Sequence, residues 1–148
     1  MRRLLLLLTL ILLAITIFYA VSAFTLTNKI GPSDSVSEDQ IKVYDDKVVI
    51  HVKGVEWSRY APTGSMLPFI NENCNGLEIV PSSPDEIHVG DIISYENSNG
   101  ELIVHQVVNI SKDSKGLYYI LKGFANATAD PAKVRFSDIR YKTIGVIC

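Results

Sequence analysis

Residues Leu4 to Phe24 are 21 consecutive positions without a charge, opening on the leucine run Leu4–Leu8. At a rise of about 1.5 Å per residue, such a segment reaches roughly 30 Å as a helix, the thickness of a hydrocarbon core. Much of the chain's 47% hydrophobic content is concentrated here. Arg2 and Arg3 precede the segment and no basic cluster follows it, so the positive-inside bias predicts a cytosolic N-terminus and an exported remainder. A second reading stays open. The same arginines and apolar run, followed by Val21-Ser22-Ala23, have the layout of a cleavable targeting peptide cut after Ala23. The run is longer than the 7–15 residues usual for such a peptide, which favours the retained single-pass anchor. In both readings the chain from Thr25 onward leaves the cytosol.

Beyond the arginine pair, 12 basic residues face 16 acidic ones. With no Lys/Arg cluster, nucleic acid is not an expected partner. Cys74 and Cys148 lack metal-ligand spacing, and neither a metal nor a cofactor is expected. A disulfide between them and two free thiols both fit the sequence.

Three spans follow: an anchor over 1–24, a polar linker over 25–40, and one domain over 41–148. The linker contains Gly31-Pro32-Ser33 and a Ser/Asp/Glu stretch. From Ile41 the pattern is β. Ile41–Tyr44 and Lys47–Val52 flank Asp45-Asp46 as a hairpin. Strands are predicted at Gly76–Val80, Val89–Tyr95, Leu102–Ile110, Leu117–Leu121, Val134–Phe136 and Tyr141–Ile147, with turns at Asn97–Gly100 and Asp113–Gly116. After the anchor no segment sustains a 3.6-residue apolar period. The predicted class is mainly β, a single compact domain.

Three places could carry chemistry. Thr63-Gly64-Ser65-Met66-Leu67-Pro68 sets a serine between a glycine and a proline, as common turns also do. His105 lies in an apolar strand between Val104 and Gln106, where packed histidines are frequent. Lys122–Pro131 is a small-residue loop that ends on Asp130-Pro131, itself an ordinary turn. Each is weak alone, and their order makes them specific.

Taken in sequence they resemble the type I signal peptidases, in particular the archaeal and endoplasmic-reticulum branch. The likeness runs from about Val55 to Ile147. It comprises Ser65-Met66-Leu67-Pro68, Val89-Gly90-Asp91-Ile92-Ile93, Val104-His105-Gln106, and Lys122-Gly123-Phe124-Ala125-Asn126 with Asp130; Ile144-Gly145-Val146-Ile147 closes it. The resemblance implies coiled antiparallel sheets with a site in a surface groove. It implies Ser65 as nucleophile, His105 as general base and Asp130 as the acid that assists the histidine. It implies an oxyanion hole from the Thr63 hydroxyl and the Ser65 N–H, and Met66, Leu67 and Pro68 along a groove that takes substrate beside the membrane.

Elementary chemistry agrees with these roles. A serine hydroxyl needs a base to become a nucleophile. Histidine, with an unperturbed pKa near 6.5, serves near neutrality. A carboxylate would fix its tautomer, and a hydroxyl donor would steady the oxyanion of peptide hydrolysis.

Two positions depart from the family pattern. Phe124 stands where an acid is expected, and Gln106 where an arginine is expected. The implied function is membrane-bound removal of signal peptides from exported preproteins, on the outer face of a cell membrane or the lumenal face of an endoplasmic-reticulum-type membrane. The alternatives are an inactive membrane-tethered module that binds extended segments, and a processing peptidase with one dedicated substrate. Two glycosylation sequons, at Asn109 and Asn126, fall in the exported part. Asn126, in the proposed catalytic loop, is expected to be bare.

Overall fold

The computed structural model describes residues 9–19 and 31–148, which belong to two separate units, Met1–Ile30 and Gly31–Cys148. In the first unit residues 9–19 are helical. Among the described residues no helix is long and apolar enough to cross a membrane. The remainder of the expected anchor, the arginine pair, the alternative cut after Ala23 and the first part of the linker lie outside the described residues.

The second unit is antiparallel β throughout its strands. β1 (Ile41–Val43) and β2 (Val48–Ile50) form the expected small hairpin around Asp45-Asp46. The main sheet has six strands in the order β3-β4-β8-β5-β6-β7. They are β3 (Glu56–Arg59), β4 (Asn75–Ile79), β5 (Ile92–Glu96), β6 (Leu102–Asp113), β7 (Gly116–Lys122) and β8 (Ile139–Ile147). Register shifts at Leu77/Glu78, Ser94/Tyr95 and Val107/Asn109 interrupt three of the ladders. Such irregularities bend and twist a sheet more strongly than regular pairing does.

The alternation of β5 and β6 divides their side chains between two cores. Ile93, Tyr95 and Val107 join Tyr119, Leu121, Val134 and Ile139 in one cluster. Ile92 and Val104, one position out of phase, pack with Tyr60, Met66, Ile70 and Cys74 in the other. The second cluster lies directly under the Ser65 turn, and the Cys74–Cys148 disulfide is formed there. That settles the cysteine question left open by the sequence.

Two expectations need correction. Val134–Phe136 is not a strand: Val134 makes a single bridge to Tyr119, and Phe136–Asp138 is a short 3-10 turn. Tertiary bonds hold this stretch. Arg135 pairs with Asp113 at 2.8 Å and donates to the Gly116 and Leu117 carbonyls, while its own N–H is taken by Asp138. Conversely, β3 had no apolar alternation to reveal it, because Glu56, Ser58 and Arg59 surround a lone Trp57.

The strand expected from Val89 starts only at Ile92. Asp91 is fully buried in the preceding turn and joins three parts of the chain. Its carboxylate accepts from the His88 N–H at 2.8 Å, from the Ser33 N–H at 2.7 Å and from the Ser33 hydroxyl at 2.8 Å. The Lys142 ammonium lies 2.9 Å away. Burial would push the Asp91 carboxyl up; the His88 and Ser33 amides, with the lysine and the serine hydroxyl, outweigh it and hold the group below the usual carboxylate range. Ser33, read as linker, is thereby part of the folded domain.

Candidate active site

Ser65 sits on the turn that leaves β3. Gly64 before it has φ 73°, a left-handed conformation that glycine adopts without steric penalty. The turn then tightens through Leu67 N–H to the Gly64 carbonyl and Ile70 N–H to the Met66 carbonyl. Met66 and Ile70 point into the second core, so burial of these two side chains holds the serine up on the opposite side of the turn. The Ser65 hydroxyl lies 3.2 Å from the Thr63 hydroxyl, and the Ser65 N–H donates to the same Thr63 oxygen at 3.4 Å.

His105 is on β6, paired with Ile93 of β5, and is only 7% exposed. Its Nδ1 is 2.6 Å from Asp130 Oδ2. Asp130 is held in turn by its N–H, which donates to the Leu121 carbonyl, and by the Tyr95 hydroxyl, which donates to Oδ2 at 3.1 Å. Burial, followed by the Asp130 charge and this hydrogen bond, pushes the Tyr95 phenol far up, so it is a donor throughout the ordinary pH range. Tyr95 was not singled out in the sequence; it reads there as one more apolar strand residue, which its ring is.

The loop after β7 closes the arrangement. Ala125 N–H donates to the Ser65 carbonyl at 2.9 Å. Gly123 is so tightly enclosed that a Cβ there would stand 2.6 Å from the Ser65 carbonyl oxygen, 2.9 Å from His105 Nε2 and 3.0 Å from Asn126 Nδ2. One small volume is thus bordered by the serine backbone and by the imidazole nitrogen that faces away from Asp130. Among the described residues no hydrogen bond joins the Ser65 hydroxyl to His105.

Phe124, in the place of the expected acid, packs against the second core and meets Phe69 edge-on with centroids 4.8 Å apart. The ring is a packing residue here. Asn126 is half-buried beside Gly123, and Asn109 is exposed on β6.

A cavity of about 340 Å³ opens over the serine and histidine and is lined by Thr63, Ser65, Met66 and His105. Here the expected groove residues separate. Met66 contributes to the wall, whereas Leu67 and Pro68 are exposed and lie outside the lining. The turn directs them outward because its buried side is filled by Met66 and Ile70. The missing walls are Arg59–Ala61, from the last residue of β3, and Leu102–Val104 at the start of β6, where only Val104 belonged to a motif. Trp57, Leu67 and Phe69 are 60%, 44% and 65% exposed.

Among the described residues no cluster of His, Cys, Asp or Glu is arranged to hold a metal. Chemically the site offers a hydroxyl, an imidazole fixed at one nitrogen by a carboxylate, and hydroxyl and amide donors beside the serine. That set is sufficient for proton transfer and acyl transfer.

No protein-family model matches the chain, and no solved structure matches it. Among curated proteins it is similar to signal peptidase I W of Bacillus subtilis (strain 168), with 30% identity over 83 residues. The matched part is 56% of this chain and 44% of that protein, so the chain spans less than half the relative's length. With the mainly antiparallel β fold and the serine, histidine and aspartate drawn together, the likeness at the level of a family is to signal peptidase I.

Proposed function

We propose that this chain is a serine endopeptidase of the Ser–His type that removes N-terminal signal peptides from exported proteins. The observation that carries the reading is the 2.6 Å contact of His105 Nδ1 with Asp130, with Nε2 turned to the same small volume as the Ser65 backbone. In this mechanism Asp130 keeps the proton on Nδ1, and Nε2 takes the proton of the Ser65 hydroxyl as the oxygen attacks the peptide carbonyl. The same imidazolium then protonates the leaving amine, and a water repeats the cycle on the acyl-serine.

The serine hydroxyl rests on Thr63 in the free protein. Substrate binding would turn it to His105 and release the Ser65 N–H and Thr63 hydroxyl for the oxyanion. Catalytic hydrogen bonds often close only in the complex. Histidine in the base position, with no lysine in the cavity lining, is what supports the archaeal and endoplasmic-reticulum branch over a lysine-based site.

The exposed Trp57, Leu67, Pro68 and Phe69 fit contact with the membrane interface, where tryptophan is favoured. With an N-terminal anchor, such contact would bring the groove to where a signal peptide leaves the bilayer, which in this reading is the outer or lumenal face. Incubation of the full chain with a preprotein, beside Ser65→Ala, tests the activity: cleavage after a small residue that disappears in the variant is the expected result. The inactive binding module is favoured by one observation, the lack of a Ser65–His105 hydrogen bond. Binding of the preprotein without cleavage by the wild type would select it.

A further inference from the structure

Arg59 is the one permanently charged side chain in the cavity lining, where its neighbours include Ala61, Met66, Leu102, Ile103 and Val104. The other two described arginines are ion-paired: Arg135 with Asp113, and Arg140 with Glu96. The Arg59 side chain has neither an ion pair nor a hydrogen bond among the described residues, and it is exposed. A guanidinium with no partner, set on the rim of a groove with apolar side chains such as Met66, Ile103 and Val104 in its lining, is available to a ligand. It is also the residue type best suited to carboxylates, through its planar fork of donors.

The backbone around it specifies the kind of ligand. β3 lies at the edge of the main sheet, with β4 as its neighbour there. β7 pairs with β6 only from Gln106 onward, so Leu102–His105 have β5 on one side and an open edge on the other. Two open strand edges therefore flank the groove, which suits an extended peptide added as a strand, its alternate side chains meeting the two walls. Arg59 and Ser65 are six positions apart, a reach of at most about 20 Å in extended chain. A bound peptide covers that reach with about six residues of its own.

We propose that Arg59 is a specificity residue that makes the groove prefer peptides with an Asp or Glu side chain within about six residues of the cleaved bond. Cleavage of the bond rests on the proposed peptidase function, whereas the binding preference stands independently of it. A lysine at the matching position is repelled by the guanidinium, and an apolar side chain leaves the cation without a partner as the peptide displaces water.

The test uses the full chain in detergent and a fluorescent peptide series. One Glu, or one Lys, is moved through the six positions on either side of a small-residue cleavage point. At one position the Glu peptide should exceed the Lys peptide in kcat/KM by about three- to tenfold. Arg59→Glu should reverse that order, and Arg59→Lys should keep it in weaker form. Affinity for the Ser65→Ala protein, read by fluorescence anisotropy, should follow the same order and diminish with added salt. Selective binding of Glu peptides without cleavage in any variant would sink the peptidase reading and leave the Arg59 assignment intact. Equal treatment of Glu and Lys at every position, an order unmoved by Arg59→Glu, or no peptide binding would overturn it. So would an Arg59→Glu effect confined to binding of anionic lipid vesicles.

Discussion

In the proposed mechanism a proton passes between Ser65 and His105, so their contributions should not be additive. Ser65→Ala and His105→Ala are each expected to lower the rate by about 10³-fold or more, and the double variant to be little worse. Single-turnover cleavage of a preprotein measures this; a double variant whose loss is the product of the two single losses would argue against a coupled pair. Asp130→Asn should also be severe, since an amide permits the wrong imidazole tautomer. Gly123 provides a sharper check on geometry. A methyl there meets the Ser65 carbonyl and His105 Nε2 within 3 Å, so Gly123→Ala should lower kcat by about 10²-fold. The glycine is not in the left-handed region, so the clash with the Ser65 carbonyl and the imidazole is what the substitution adds, and a urea titration beside kcat separates a local loss from unfolding. A fully active Gly123→Ala protein would show that the imidazole does not work from this position. Phe124, in contrast, is held by Phe69 and the second core. Replacing it by aspartate would put a carboxylate into apolar packing, so restoration of an acid there is not expected to help.

At the scale of elements, the Asp91–Lys142 pair fastens the turn before β5, the middle of β8 and the Ser33 segment to one another. Lys142 also donates to the Ser33 hydroxyl and the Glu86 carbonyl, each at 2.8 Å. Removing one partner of a buried pair leaves the other uncompensated, and Asp91→Asn should destabilise the domain by about 3 kcal/mol. Lys142→Met should cost less, because Asp91 keeps three donors. The pH dependence follows from the lowered Asp91 pKa. A depressed carboxyl contributes its full stabilisation above the unfolded value of about 3.9 and loses it as the pH falls through the lower folded value. Acid unfolding of the wild type should therefore steepen below about pH 4, and Asp91→Asn should lose part of that slope. Urea titrations at several pH values would measure it; identical slopes in the two proteins would contradict the assignment.

The whole domain is stapled between Cys74, below the Ser65 turn, and Cys148, just after β8. The bridge closes a loop with a sequence separation of 74, worth about 4 kcal/mol on the chain-entropy account. Cys74 is 1% exposed and shares its cluster with Met66 and Ile70, the residues that hold the serine up. The Cys74→Ser/Cys148→Ser protein should unfold at lower denaturant and lose activity at a temperature below its own unfolding midpoint, as the turn loosens first. Loss of both at the same temperature would mean that the staple acts on global stability alone.

Local chemistry made much of this protein legible. Alternating apolar residues and Gly/Asn/Asp turns marked the small hairpin and the strands β4 to β8, because side-chain period and turn geometry are properties of short segments. Ser65, His105 and Asp130 were identifiable as candidates because their flanking residues form ordered boxes. What connects them depends on folding. Nothing near Tyr95 in the chain announces that its hydroxyl reaches Asp130, nor near Ser33 that it reaches Asp91. Arg59–Ala61 and Leu102–Val104 became groove walls because the sheet leaves their edges open beside the serine, and Leu67 and Pro68 turned outward because Met66 and Ile70 fill the space beneath. The expected strand at Val134–Phe136 yielded to ion pairs from Arg135 that no local pattern contains. Composition and local pattern decided that this is a β domain, and the resemblance of its boxes to a known family singled out the serine and the histidine. Sheet order, register and the competition for buried volume decided which groups share a site, because those depend on contacts between residues far apart in the chain.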